Sequence, residues 1–397
     1  MRSANRQTIR QINEAAVLGV IHDHGPISRT EIAEVTNLSP ATITGIMGKL
    51  IRQGLARERE IGISTGGRPP VLVEIDRDAG CVIGVKLTEH YLTAALTDLG
   101  AETLAERSIP LHSDRSPHAV AAALAKVVTE LRVTEPGRRF FGVGIGLAGA
   151  IDRRTGVCRF SPFLPWRDVP LRALLEPLVD CPVVVDNDVN ALTLAERWFG
   201  GGAGFSDFVV VTIGRGIGLG MVLDGRLYRG GHGAGGEFGH VTVEPDGPPC
   251  DCGKRGCLEA VVAEPALLRR LRQVCGTDVS MTEGSALARR SHQEAKAVFV
   301  QAGRTLGWAL SGVVNLLNPT RMIVGGEGVQ YLDLLLDPMR DALAINCFDG
   351  LFADLDLLVE PLGDDAWARG AAGLVLDELF HARLELGEEN ARAPLPH

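Results

Sequence analysis

Four residues in the second half of the chain, His240, Cys250, Cys252 and Cys257, offer one imidazole and three thiols. These are the ligands of tetrahedral Zn2+, and four protein ligands leave no position for a catalytic water, so the set predicts a structural metal. Gly253 and Gly256 let the intervening loop turn tightly around an ion. The other five cysteines, Cys81, Cys158, Cys181, Cys275 and Cys347, are scattered among apolar neighbours and read as core thiols of a reducing compartment. A second polar cluster, Asp186-Asn187-Asp188, gathers carboxylates and an amide. Taken alone, it suits a solvated turn better than a binding site.

A third group of residues has the chemistry of DNA contact. Ile9, Ile12, Ala16, Val17, Val20 and Ile21 follow helical spacing up to the stop signal His24-Gly25-Pro26. Ser28 with Glu31 is a capping box that opens a second helix, Asn37-Leu38 makes a turn, and Ser39 with Pro40 opens a third. In that helix Ile43, Ile46, Met47, Leu50 and Ile51 face inward. Ser39, Ala41, Thr42, Thr44, Gly45, Lys49 and Arg52 are left to meet bases and phosphates, as in a recognition helix. Ala56–Ile63, carrying Arg57 and Arg59, reads as a two-stranded wing. The whole is a winged helix-turn-helix; a trihelical module without DNA contact is the alternative.

Charge agrees with that division. Residues 1–70 hold nine Arg/Lys against six Asp/Glu, a net +3, which leaves −12 on the rest of a chain whose total is −9. A small DNA-facing head on an acidic body is the reading. A length of 397 residues predicts two or three domains. No stretch is apolar for the length of a membrane span and the N-terminus lacks the apolar region of a signal peptide, so a cytoplasmic location is expected.

Beyond residue 71, strands alternate with helices. Val82–Leu87, Tyr91–Leu96 and Glu102–Ser108 read as a meander, Pro117–Leu131 as a helix and Phe140–Gly146 as a buried strand. A second set starts near Val183–Val185, takes in Phe208–Ile213 and Gly218–Leu223, and ends in helices around Ala295–Leu317 and Trp367–Phe380. Within this α/β body lie Gly144-Ile145-Gly146-Leu147-Ala148-Gly149-Ala150-Ile151-Asp152, Asp186-Asn187-Asp188-Val189-Asn190, Thr212-Ile213-Gly214-Arg215-Gly216-Ile217-Gly218-Leu219-Gly220, Gly236-Glu237-Phe238-Gly239-His240 and Cys250-Asp251-Cys252-Gly253-Lys254-Arg255-Gly256-Cys257-Leu258-Glu259. On these motifs the chain resembles the ROK family of bacterial sugar repressors and sugar kinases, over nearly its whole length.

The resemblance implies an α/β fold in which the winged helix precedes an actin-like, sugar-kinase-like body of two lobes. The expected divisions are a head at 1–63, a linker at 64–72, a first lobe at 73–185 completed by a C-terminal helix at 366–383, a second lobe at 186–365, and a disordered tail at 387–397. It also implies that Asn187, Asp188, Glu237, His240 and Glu259 bind a sugar, whose hydroxyls need fixed carboxylates and amides. The metal would orient His240, leaving its other ring nitrogen for a sugar hydroxyl.

Asp188 holds the position of the kinases' catalytic base, but no catalytic residue is assigned. The kinases' first phosphate loop, Asp-x-Gly-Gly-Thr, is matched by Lys86-Leu87-Thr88-Glu89-His90; Arg215 replaces a small hydroxyl residue and Leu219 a glycine. ATP binding is therefore not expected, since phosphoryl transfer rests on positioning and neutralising phosphates. In the loop Ser161–Trp166 the family pattern often has Asn where Phe163 stands.

The function expected is a non-enzymatic repressor of carbohydrate-utilisation genes, controlled by a monosaccharide and binding operator DNA as a homodimer or homotetramer. Alternatives are a sugar kinase with a regulatory head and a ligand-independent DNA-binding protein. Glucose, xylose and N-acetylglucosamine all stay open as effectors, and the apolar run Leu306–Leu317 predicts a helix buried between lobes or subunits.

Overall fold

In the computed structural model, residues 6–59, 71–290, 292–360 and 364–381 are described. The expected tail at 387–397 and most of the expected linker lie outside them.

The head begins with α1 (Arg6–His24), β1 (Ile27–Ser28), α2 (Arg29–Thr36) and α3 (Pro40–Arg52). Capping sets these boundaries. The Ser28 hydroxyl accepts from the Glu31 amide at 3.2 Å while the Glu31 carboxylate accepts from the Ser28 amide at 2.9 Å. That reciprocal bond holds the Glu31 carboxyl below its ordinary range. Asn37 ends α2 in the left-handed conformation, φ 55°, and Ser39 caps α3. Val17, Leu18 and Ile21 of α1 pack with Ile32, Ile43, Ile46, Met47 and Leu50.

The wing differs from its sequence expectation. β2 (Ala56–Arg59) pairs with β3 (Leu72–Ile75), and β3 also pairs with β1; residues 60–63 of the expected wing lie outside the described residues. The strand at 72–75 therefore completes the head's sheet and does not open the first lobe at 73. Local turn signals cannot reveal a partner strand that returns after a long connection.

The body is built on two five-stranded sheets. The first has the order β11-β7-β4-β5-β6: β4 (Cys81–Leu87), β5 (Tyr91–Asp98) and β6 (Thr103–Pro110) form the meander, and β7 (Phe140–Leu147) and β11 (Val183–Asn187) add in parallel. α4 (Pro117–Arg132) covers one face together with α5 (Leu171–Val179). A small sheet of β8 (Ala150–Asp152), β9 (Val157–Phe160) and β10 (Arg167–Val169) lies between β7 and α5 in the chain.

α6 (Asp188–Phe199) leads into the second sheet, of order β14-β13-β12-β15-β16, made of β12 (Phe208–Ile213), β13 (Ile217–Leu223), β14 (Arg226–Leu227), β15 (Arg321–Gly325) and β16 (Asp356–Val359). α7 (Leu258–Val262), α8 (Glu264–Cys275), α9 (Met281–Arg289), α10 (Gln293–Leu317), α11 (Leu332–Asn346) and α12 (Leu351–Asp354) complete that lobe. The last described element, α13 (Asp364–His381), returns to the first sheet. Gly84 and Gly144 permit that return: a Cβ on either would stand within 2 Å of a carbonyl oxygen of α13.

α10 corrects one expectation. Leu306, Leu310, Val313 and Val314 are buried within the second lobe, mostly against α11, so the run does not lie between lobes; Trp308 and Leu316 face outward. Among the described residues no helix is long and apolar enough to cross a membrane.

Candidate functional site

The parallel strands β4, β7 and β11 end together, with Asn187 opposite Leu147 and Leu147 opposite Leu87. The carboxyl ends of parallel strands are where open α/β sheets collect ligands. Here they face the ends of β12 and β15 across a cavity of about 770 Å3. All five residues expected to bind a sugar, Asn187, Asp188, Glu237, His240 and Glu259, line it.

Each is held by its element. Asn187 caps α6, accepting from the amides of Val189 at 2.9 Å and Asn190 at 3.2 Å, and its Nδ2 donates to the Gly149 carbonyl at 3.1 Å. Much of its amide is thus spent on local structure. Asp188 follows at the helix start; enclosure in the cavity pushes its carboxyl up to about 6 from an ordinary 3.8, against the pull of Lys86. Glu259, in the first turn of α7, accepts from the Ile217 amide at 3.2 Å, which ties it to β13.

Two ion pairs cross the cavity, and the sequence pointed to only part of them. Lys86 Nζ of β4 lies 2.9 Å from Glu327 Oε1, just beyond β15, and 4.5 Å from the Trp367 ring centroid. Arg215 Nε lies 3.7 Å from Glu89 Oε1, with its guanidinium 4.7 Å from the Phe163 ring centroid. Glu327, Glu264 and Trp367, all lining residues, were missed. Glu327 follows Gly325-Gly326 at the carboxyl end of a parallel strand, the one signal that could have singled it out. Trp166 is buried and donates from Nε1 to the Arg115 carbonyl at 2.8 Å, anchoring its loop, while Phe163 faces the cavity.

The metal-ligand set is assembled beside this cavity. One donor atom from each of His240, Cys250, Cys252 and Cys257 lies within 4.8 Å of the others. Cys252 Sγ and Cys257 Sγ are 3.7 Å apart, and Cys250 Sγ is 3.6 Å from His240 Nδ1. Zn–S bonds of ~2.3 Å at tetrahedral angles give edges of about 3.7 Å, so the spacing fits Zn2+. Nδ1 faces the thiols, and Nε2 lies 3.9 Å from Glu237 Oε2, toward the cavity. Gly253 and Gly256 have φ of 89° and 65°, conformations that favour glycine.

In the head, Ser39, Ala41, Thr44, Gly45 and Arg52 are exposed, with Thr42 half-buried. Their hydroxyls have local partners: Thr44 donates to the Pro40 carbonyl at 2.8 Å, and Ser39 and Thr42 share a bond of 2.8 Å. Lys49 departs from the outward-facing expectation by turning to Glu14 of α1, 2.5 Å away. Arg57 and Arg59 remain exposed while pairing with Glu74 of β3 at 2.8 and 3.3 Å.

Head and body meet through α1. His22 stacks on Phe380 of α13 at 4.5 Å between centroids and meets the Trp198 ring of α6 at 4.7 Å. Arg197 Nη2 lies 3.4 Å from Asp23 Oδ2.

Comparison with known proteins agrees with this arrangement. The ROK family model matches residues 82–378, and a MarR family model matches residues 10–62. The chain is 31% identical over 394 residues to a putative xylose repressor of Caldicellulosiruptor sp. (strain Rt8B.4), covering 95% of this chain and 98% of the relative. It is 31% identical over 383 residues to the dual regulator NagC of Escherichia coli K12, covering 94% of each. A ROK family transcriptional regulator, a homolog of the E. coli MLC protein, superposes with a TM-score of 0.84 at 30% identity over 96% of this chain and 98% of that one. A ROK family glucokinase of Streptomyces griseus with bound glucose and AMPPNP gives 0.65 at 30% identity, covering 74% of this chain and 99% of its own. With the ROK family model spanning residues 82–378, well over half of its length, the chain belongs to the ROK family.

Proposed function

We propose that this protein is a cytoplasmic transcriptional repressor of carbohydrate-utilisation genes, whose affinity for operator DNA is set by a monosaccharide bound in the cavity. The observation that carries the reading is α6. Its cap, Asn187, and its first residue, Asp188, border the sugar cavity, and its last turn, with Arg197 and Trp198, touches α1 of the head. The twelve residues of α6 span about 18 Å. Val189–Glu196 are buried throughout, and in this reading the helix carries a displacement of its N-terminus to its last turn. Coupling of the two sites requires only that the sugar prefer one of two arrangements of this unit.

In this reading the sugar is held by Asn187, Asp188, Glu237, His240 and Glu259, and a structural Zn2+ by His240, Cys250, Cys252 and Cys257. The ion would lock the loop that carries His240 and precedes Glu259. Ser39, Ala41, Thr42, Thr44, Gly45 and Arg52 form the DNA-facing surface, with Arg57 and Arg59 on the wing and Lys49 bracing α3. The protein acts as a homodimer or homotetramer; exposed Trp308, Leu316, Ile345 and Phe348 support self-association. It performs no phosphoryl transfer, so a coupled assay with ATP and a sugar panel should show no turnover.

The test is fluorescence anisotropy with DNA from upstream of the protein's own gene, at fixed salt, with and without glucose, xylose or N-acetylglucosamine. One sugar should shift the DNA affinity by roughly 5- to 150-fold, the usual range of allosteric coupling. A protein that ignores all DNA would sink the reading. Arg197→Ala should retain sugar and DNA binding yet bring the sugar-induced shift several-fold closer to none; an unaltered shift would remove α6 from the path. Arg57→Ala together with Arg59→Ala should weaken operator and random DNA alike and lower the slope of log affinity against log salt by about 1–2. An unchanged slope would take the wing off the DNA.

A further inference from the structure

In the Lys86–His90 turn, several of the groups with which a loop could grip a phosphate already have partners. A phosphate is held by backbone N–H groups that converge on it and by cations with charge to spare. In this turn the Thr88 amide donates to the Tyr91 carbonyl at 3.0 Å, and the Thr88 hydroxyl accepts from the amides of His90 at 3.3 Å and Tyr91 at 3.1 Å. In the facing loop of the second lobe the Gly214 amide donates to the Gly216 carbonyl at 3.1 Å, and the Ile217 amide to Glu259 at 3.2 Å.

The charges repeat the pattern. Among the described residues lining the cavity, the Lys and Arg side chains are Lys86 and Arg215, and each faces a carboxylate of the opposite lobe, Glu327 at 2.9 Å and Glu89 at 3.7 Å. Asp188, Glu237, Glu259 and Glu264 add negative charge to the same walls. Burial and the neighbouring Glu327 raise the Glu264 carboxyl, a sign that its charge is poorly compensated there. A dianionic ester entering this space would meet carboxylates, and cations that already face carboxylates, whereas sugar hydroxyls can donate to those carboxylates.

We infer, building on the sugar-sensing function proposed above, that the cavity selects an uncharged sugar and rejects its phosphate esters, with the pairs Lys86–Glu327 and Arg215–Glu89 as the specificity determinants. The two pairs fill, with the protein's own charges, the place where a phosphate would bridge the lobes.

Isothermal titration calorimetry on the full-length protein tests this, using D-glucose, D-xylose and N-acetyl-D-glucosamine and the terminal phosphate ester of each. The sugar that binds should do so at least tenfold more tightly than its ester. In Glu327→Gln combined with Glu89→Gln, which removes the carboxylate that each cation faces across the cavity, the ester should gain at least several-fold relative to the sugar; retained thermal unfolding cooperativity shows that the variant is folded. An ester that binds the wild type as tightly as the sugar overturns the inference and leaves sugar sensing intact, as does a folded double variant with unaltered preference. If the protein binds DNA but neither sugars nor esters, the sensing function itself falls and the inference with it.

Discussion

Exchanging Cys252 for serine is expected to take the metal content from about one Zn2+ per chain to nearly none, and to weaken sugar binding by more than tenfold. A structural site of three thiolates and one imidazole is closed, so losing one thiolate removes a quarter of the ligands and leaves the remaining two sulfurs crowded without a cation. In this chain Cys252 lies 3.7 Å from Cys257, which caps α7, and Glu259 stands in the first turn of that helix. The same loop carries His240, whose Nε2 side faces the cavity. Release of the ion should therefore free, at once, two of the five side chains proposed to bind the sugar. The second lobe has a large apolar core of its own, so it should stay folded. A loss of even about 3 kcal/mol would lower its Tm by roughly 6–12 °C. Elemental analysis and calorimetry on the same sample decide the matter, and unchanged zinc in the variant would refute the ligand set.

Asp188→Asn should lower sugar affinity by roughly ten- to hundredfold while leaving the fold intact. A hydrogen bond to an ionised carboxylate is worth about 1.5–3 kcal/mol, and the amide preserves the shape but neither the charge nor both acceptors. The wild-type pH profile follows from the same residue. Its carboxyl is raised to about 6, so the folded protein without sugar takes up a proton more readily than the unfolded chain does. Folding stability from this group is consequently lost as pH rises from about 4 through 6, the price of keeping a charge in an enclosed site. Sugar binding runs the other way. A hydroxyl donates best to the ionised form, so affinity should fall as pH drops below 6, and the step should vanish in Asp188→Asn. A wild-type profile that is flat between pH 5 and 8 would exclude Asp188 as an ionised acceptor.

The parts legible in the sequence were those encoded over short spans. The caps at Ser28 and Ser39, the αL turn at Asn37, the meander from β4 to β6 and the grouping of three cysteines with His240 each depend on residues close in the chain, where spacing and side-chain type decide the geometry. Lys86, Glu89 and Arg215 could likewise be singled out, because each stands where the kinases of the family have a different residue.

Their partners could not. The strand that closes the wing, Leu72–Ile75, comes after a long connection, and Glu327 reaches Lys86 across 241 positions. The ring of Trp198 meets His22 only because α6 and α1 are brought together by α13. The sequence by itself determined which residues carry charge, metal affinity and helix ends. Tertiary structure alone decided that two lobes neutralise each other's charges over one cavity, and that a single buried helix runs from that cavity to the DNA-binding head. Such pairings depend on packing between surfaces distant in the chain, and no local propensity records which surfaces will meet.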